Sequence, residues 1–122
     1  MACCRVELTD RALAHFRGHI GYIANDLCNP DAALRLWEAL GRAIDVLADH
    51  PETAPLCVDR ALRGFGYRKK RIDGTRYLCL CRVEGDTVWI DGIYHELQDY
   101  ENLFATGEQG NGRPALGRSV VL

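Results

Sequence analysis

The sequence predicts an α+β fold: an N-terminal strand and an antiparallel helix hairpin packed on a small antiparallel sheet, closed by a short C-terminal helix. Three observations predict it. Two stretches carry apolar residues at steps of three and four, the period of a helix with one buried face. Residues 66–95 divide into three strand-length runs, rich in β-branched and aromatic residues and separated by glycine-containing turns. Ahead of both, Cys4-Arg5-Val6-Glu7-Leu8 alternates polar and apolar residues as a half-buried strand does.

In chain order, Thr9 stands where a helix N-cap belongs, with Asp10 in the first turn near the positive end of the helix dipole. Leu13, Phe16, Ile20, Ile23 and Leu27 then form one stripe. His15 and His19 lie four apart on another part of that helix, with no third metal ligand nearby, and are expected to be solvated. Asn29 is a good N-cap and Pro30 a good first residue for the second helix. Its stripe is Ala33, Trp37, Leu40, Ile44 and Leu47, with Leu36 and Ala43 beside it, so Trp37 is expected in the core. The short connection makes the two helices an antiparallel hairpin. His50-Pro51 ends the second helix, and Glu52 to Arg63 reads as an irregular connection.

The three strands follow. Asp73-Gly74 suits a tight hairpin turn, and Glu84-Gly85-Asp86 serves the second connection. Val88, Trp89, Ile90 and Ile93 are apolar on both faces of the last strand, which places it centrally, beside the N-terminal strand. Leu97, Tyr100, Leu103 and Phe104 predict a short helix over 96–104. From Ala105 the composition turns to glycine and polar residues, so 1–104 reads as a single domain and 105–122 as a flexible tail.

A chain of 122 residues, 48% hydrophobic and 26% charged, has the composition of one ordinary soluble domain. It has no apolar run near the ~20 residues that span a bilayer, and no signal-peptide core follows Met1, so a cytoplasmic location is expected. Six cysteines without a C-x-x-C pair point to reduced thiols, with Cys79 and Cys81 as buried fillers on one strand face. No metal site or cofactor motif is visible.

The charge is segregated. Between Arg60 and Arg82 lie eight basic residues and one acid, a local charge of +7 in a chain of net −2. The rest of the chain therefore carries −9. Such a distribution implies an anion-facing patch, and basic residues on both faces of one strand exceed what edge protection requires.

The succession strand, helix, helix, three strands, short helix carries a set of residues with it. These are Asn29-Pro30-Asp31-Ala32-Ala33, Leu47 with Pro51, Gly66-Tyr67-Arg68, Tyr77, Arg82-Val83 and Ile93-Tyr94-His95 with Asp99-Tyr100. Over residues 4–104 the chain resembles the RelE/ParE superfamily, the toxins of type II toxin–antitoxin modules. The resemblance implies one of two activities: ribosome-dependent mRNA cleavage, or inhibition of DNA gyrase without nuclease activity. A toxin homologue that only binds its antitoxin and regulates is a third reading.

The basic strand with His95 favours mRNA cleavage. In that chemistry the RNA 2′-hydroxyl attacks the adjacent phosphate without a metal, and needs a base, an acid and cations for the phosphorane. His95, Arg82 and Arg68 are the candidate catalytic residues, His95 as acid or base and the arginines as phosphate forks. Lys69, Lys70, Arg71, Arg76 and Tyr94 are candidates for substrate or partner contact. The alternatives are a salt bridge of Arg82 with Glu84 or Asp91, and a strand-end His95 that hydrogen-bonds a loop. The resemblance also implies a cognate antitoxin, expected as an acidic or amphipathic segment across Arg68, Lys70 and Arg82. The other partner is the ribosome with its mRNA or, in the second reading, DNA gyrase.

Overall fold

The computed structural model describes residues 5–101, Leu103 and the backbone of Ser119–Val120. Strand β1 (Arg5–Thr9) leads into helix α1 (Asp10–Gly21), whose first turn is closed by the Thr9 hydroxyl accepting the Ala12 N–H at 3.2 Å. The helix then widens into a π turn at Tyr22–Asp26. A wider turn shifts the phase of the side chains that follow. Ile23 stays buried, but Leu27, the expected end of the stripe, is exposed.

Helix α2 (Pro30–Asp49) begins at the expected cap, the Asn29 Oδ1 accepting the Ala32 N–H at 3.1 Å. Its buried face is Ala33, Leu36, Ala39, Leu40, Ala43 and Leu47. The alanines let α2 lie close to its neighbours, and that shifts the face away from the bulky end of the predicted stripe. Trp37 is therefore not a core residue: it is 56% exposed at the edge of the hairpin, its ring 5.6 Å from that of Phe16.

Beyond α2, a 3₁₀ turn at Pro51–Thr53 and a short helix α3 (Arg60–Gly64) lead to β2 (Arg68–Ile72). Strands β3 (Tyr77–Glu84) and β4 (Thr87–His95) follow, and Ser119–Val120 form β5. The sheet order is β2-β3-β4-β1-β5. The three consecutive strands are antiparallel, and β4 is central beside β1, which it pairs in parallel. The Gly85-Asp86 turn is as tight as expected, with Gly85 at φ +63°. The first turn is longer, four residues from Asp73 to Arg76. There the Thr75 hydroxyl donates to the Ile72 carbonyl (2.6 Å) and accepts the Tyr77 N–H (3.1 Å).

The predicted 96–104 helix starts late. His95 Nδ1 accepts the Leu97 N–H, and the His95 C=O accepts the Gln98 N–H, so 96–98 form a turn. Helical residues begin at Tyr100, and Phe104 lies outside the described residues. The tail expected over 105–122 also lies outside them, apart from the β5 backbone.

One expectation is reversed by the sheet topology. The β1–β4 register ends at Leu8 opposite Ile90, so the remainder of β4 has no β1 residue beside it. Helix α1 supplies the partners instead. The Ile93 N–H donates to His15 Nδ1 at 3.2 Å, and the Ile93 carbonyl accepts from His19 Nε2 at 2.8 Å. His15 and His19 are thus half-buried docking residues, not solvated ones. A backbone carbonyl only accepts and an amide N–H only donates, so His19 carries its proton on Nε2 and His15 leaves Nδ1 bare.

Candidate functional site

The sheet face opposite the helices carries its own small core of Cys57, Leu62, Tyr67, Leu78, Leu80 and Tyr94. A β-bulge between Leu80 and Cys81 pairs Leu80 with Gly92 and Cys81 with Ile90, leaving Asp91 as the extra residue. The bulge sends the Asp91 carboxylate into this face, fully buried. There Asp91 Oδ2 accepts from the Tyr67 hydroxyl at 2.7 Å and from Arg82 Nε at 2.8 Å. Gly92 is needed beside it, because a Cβ there would stand 2.6 Å from the Tyr94 ring.

Burial pushes the Asp91 carboxyl up from its ordinary value, against the pull of the Tyr67 hydroxyl and the Arg82 charge. Burial and the neighbouring Asp91 push the Tyr67 hydroxyl up as well. Arg82 is only 6% exposed, and its other contacts are Glu84 at 3.5 Å and the Trp89 ring at 5.9 Å. The expected alternative for Arg82, a salt bridge with Glu84 or Asp91, is realised with both. Arg82 is already shielded by the protein itself.

The rest of the basic run is largely occupied. Arg68 Nη1 donates to the Ala54 carbonyl at 2.7 Å. Lys70 sits 3.8 Å from Asp73, and Lys69 lies 5.8 Å from the Tyr100 ring. Arg71 and Arg76 both reach Glu96, each at 3.1 Å. The hydrogen bond from Arg71 holds the Glu96 carboxyl below its ordinary value, with help from the charges of Arg71 and Arg76. Arg60 and Arg63 are exposed and make no ion pair among the described residues.

His95 sits at the other end of β4, on the helix side. Its ring meets Tyr77 edge-on at 5.0 Å, and Tyr77 in turn meets His19 at 4.7 Å. Together with Arg35, Arg76 and Leu27 it lines a cavity of about 290 Å³. Tyr94 is buried, its ring 4.9 Å from His15 and 6.1 Å from Tyr100. The structure brings His95 and Arg76 together but does not bring His95 to Arg82. Arg82 lies opposite Trp89, six positions before His95, so the two are separated by roughly 20 Å of strand. They also face opposite sides of the sheet.

Sequence reasoning weighed Asp91 only as a rival partner for Arg82. The signal that could have marked it was a lone acid inside an apolar run. Among the described residues no group of three or more His, Cys, Asp or Glu is placed to hold a metal ion. No described helix is long and apolar enough to cross a membrane. Cys79 and Cys81 are buried on the helix side of the sheet, and burial pushes the Cys81 thiol up to about 12, which keeps it an unreactive filler.

Comparison with known proteins bears on this architecture. A family model described as "ParE toxin of type II toxin-antitoxin system, parDE" matches residues 6–100. A solved structure described as "Chromosomal ParDE TA system from P. aeruginosa" is similar at a TM-score of 0.63 and 16% sequence identity. That likeness, a likeness of fold, covers 76% of this chain and 96% of the other. No curated protein matches.

Proposed function

The chain belongs to the ParE toxin family of type II toxin–antitoxin systems, and on that premise we propose that it arrests growth by binding and inhibiting DNA gyrase rather than by cleaving mRNA. The observation that supports this reading is the separation of His95 from Arg82. Phosphoryl transfer from a 2′-hydroxyl needs its acid or base and its cation within hydrogen-bond reach of one phosphate. Here His95 and Arg82 stand at opposite ends and on opposite faces of the sheet, and of the two arginines that line the His95 cavity, Arg35 and Arg76, Arg76 is already paired with Glu96. An inhibitor that acts by protein contact needs no such convergence.

The same premise supports a cognate antitoxin as the neutralising partner. The exposed Trp37, with Ile44 beside it in a cleft of about 280 Å³ on the helix hairpin, suits an amphipathic antitoxin segment.

The experiment is a pair of assays on the purified toxin. Gyrase supercoiling should be inhibited, and mRNA in a translating extract should stay intact. His95→Ala should remain fully growth-arresting, whereas removal of a true acid or base would cost about 10²–10⁴-fold in rate. Cleaved mRNA together with unaffected supercoiling would reverse the assignment.

A further inference from the structure

Resting on the reading of this toxin as one that acts by contact with a protein, we propose that the knuckle formed by residues 56–65 is the surface that docks the target. The target surface it fits is acidic and carries an apolar recess.

The knuckle lies along the outer edge of β2 and is fixed at both ends. Leu56 bridges to Arg68, the Cys57 N–H donates to the Tyr67 carbonyl (2.9 Å), and the Lys69 N–H donates to the Pro55 carbonyl (2.9 Å). Asp59 caps α3, its Oδ1 accepting the Leu62 N–H at 3.0 Å, and Gly66 turns the chain back into β2 at φ +83°. The segment is therefore a built feature of the sheet edge rather than a loose loop.

Its apolar residues divide into two sets. Cys57 and Leu62 point inward, each 2% exposed or less, and join Tyr67 to cover the bulged face of the sheet. Val58 at 85%, Phe65 at 53% and Leu56 at 38% point outward. The inward set does most of the packing, so polar residues at 58 and 65 would cost the core little. Val58 is the most exposed large apolar residue of the described chain. Apolar side chains clustered on a rigid, solvent-facing ridge mark an interaction surface.

The charge on the same ridge indicates the partner. Lys70, Arg71, Arg76 and Arg82 each have a carboxylate partner, whereas Arg60 and Arg63 have none among the described residues. Asp59, the one acid of the knuckle, is engaged in capping α3. Among the described residues Arg68 and Lys69 also lack a carboxylate partner, but both are half-buried, Arg68 donating to the Ala54 carbonyl and Lys69 lying over the Tyr100 ring. The exposed, unpaired charge of the basic run is therefore that of Arg60 and Arg63, in the same segment as the exposed Val58 and Phe65. Cationic residues around apolar anchors complement an acidic rim around an apolar recess. Its most exposed large apolar side chain, Val58, is aliphatic, and this favours a protein over a nucleic acid, which offers phosphates and stacking faces.

The test uses the full chain and two double variants, Val58→Asp with Phe65→Ser, and Arg60→Glu with Arg63→Glu. Each is assayed for growth arrest without antitoxin, gyrase inhibition, antitoxin affinity and melting temperature. Both should lose growth arrest and weaken gyrase inhibition by roughly 10-fold or more, as loss of interface anchors does. Melting temperature should be unchanged, and antitoxin affinity should stay within about twofold, as for positions outside an interface.

Growth arrest by well-folded variants at the wild-type level would overturn the proposal. So would a parallel loss of antitoxin affinity, which would make the knuckle an antitoxin surface. An effect of the arginine pair alone would also overturn it, in favour of an electrostatic nucleic-acid contact. If the wild type arrests growth without inhibiting gyrase, the gyrase reading fails on its own. The knuckle then stands or falls on whether its variants still arrest growth.

Discussion

On the helix side of the sheet, Leu8, Ile72, Cys79, Cys81, Val88, Ile90 and Ile93 meet α1 and α2 through apolar contact. On the other side, Tyr67, Arg82 and Asp91 bury a charged pair under α3 and the connection before β2. The first face is stabilised in proportion to apolar area removed from water, and many side chains of similar volume would serve there. The second depends on one bulge, one glycine and three polar groups in mutual reach. In it Asp91 Oδ1 and Arg82 Nη2 are buried with no hydrogen-bond partner among the described residues. Such a pair costs much to half-remove and little to replace whole. The helix face therefore tolerates variation, and the bulged face fixes the position of Arg82 in the interior.

The largest effect that would sharpen this contrast is on the buried pair. Asp91→Ala should cost about 3–5 kcal/mol, because it strands the Arg82 charge in the interior. Replacing both residues, as Asp91→Leu with Arg82→Met, should recover most of that loss. Chemical denaturation of the three proteins measures it. A single-variant cost below about 1 kcal/mol, the range of surface pairs, would mean that the two faces do not differ in this way.

Next in size is the contrast within α2. Leu40→Ala should cost about 2–5 kcal/mol, as buried leucine truncations do. Trp37→Ala should cost clearly less, because more than half of its surface already faces water. The same unfolding measurement ranks them, and an equal cost would return Trp37 to the core.

The smallest effect is a pH dependence that the helix face contributes. Burial holds His19 below the ordinary histidine value, with the charges of His15 and His95 adding to it against the hydrogen bond to Ile93. The unfolded chain therefore binds the His19 proton more readily than the folded one. The stability from this site is fully present above pH ~6.5 and is lost as pH falls from there through the lowered folded value. Melting temperature followed from pH 8 to pH 5 should fall in the wild type. His19→Gln, whose side-chain amide keeps a donor for the Ile93 carbonyl without titrating, should flatten the fall. An unchanged profile would remove His19 as its cause.

The sequence by itself determined the order of β1, the two long helices and the three consecutive strands, though not α3 within the expected irregular connection or β5 within the expected tail. It determined as well the Thr9 and Asn29 caps, the tight Gly85 turn and the central place of β4. Each follows from residues within a turn or two of one another, or from apolar residues on both faces of one strand, so periodicity and local hydrogen bonding carry the information. It also offered the salt bridge of Arg82 as an alternative without deciding for it. Tertiary structure decided the rest. The π turn re-phased Leu27, the alanines of α2 moved Trp37 to the surface, and the short β1 left the Ile93 peptide to His15 and His19. The bulge at Asp91 set Arg82 and His95 on opposite sides of the sheet. These outcomes depend on where one element ends beside another distant in sequence, such as Tyr67 against Asp91 or His19 against Ile93. No local pattern encodes such a meeting, because its energy exists only once the sheet and the helices have packed.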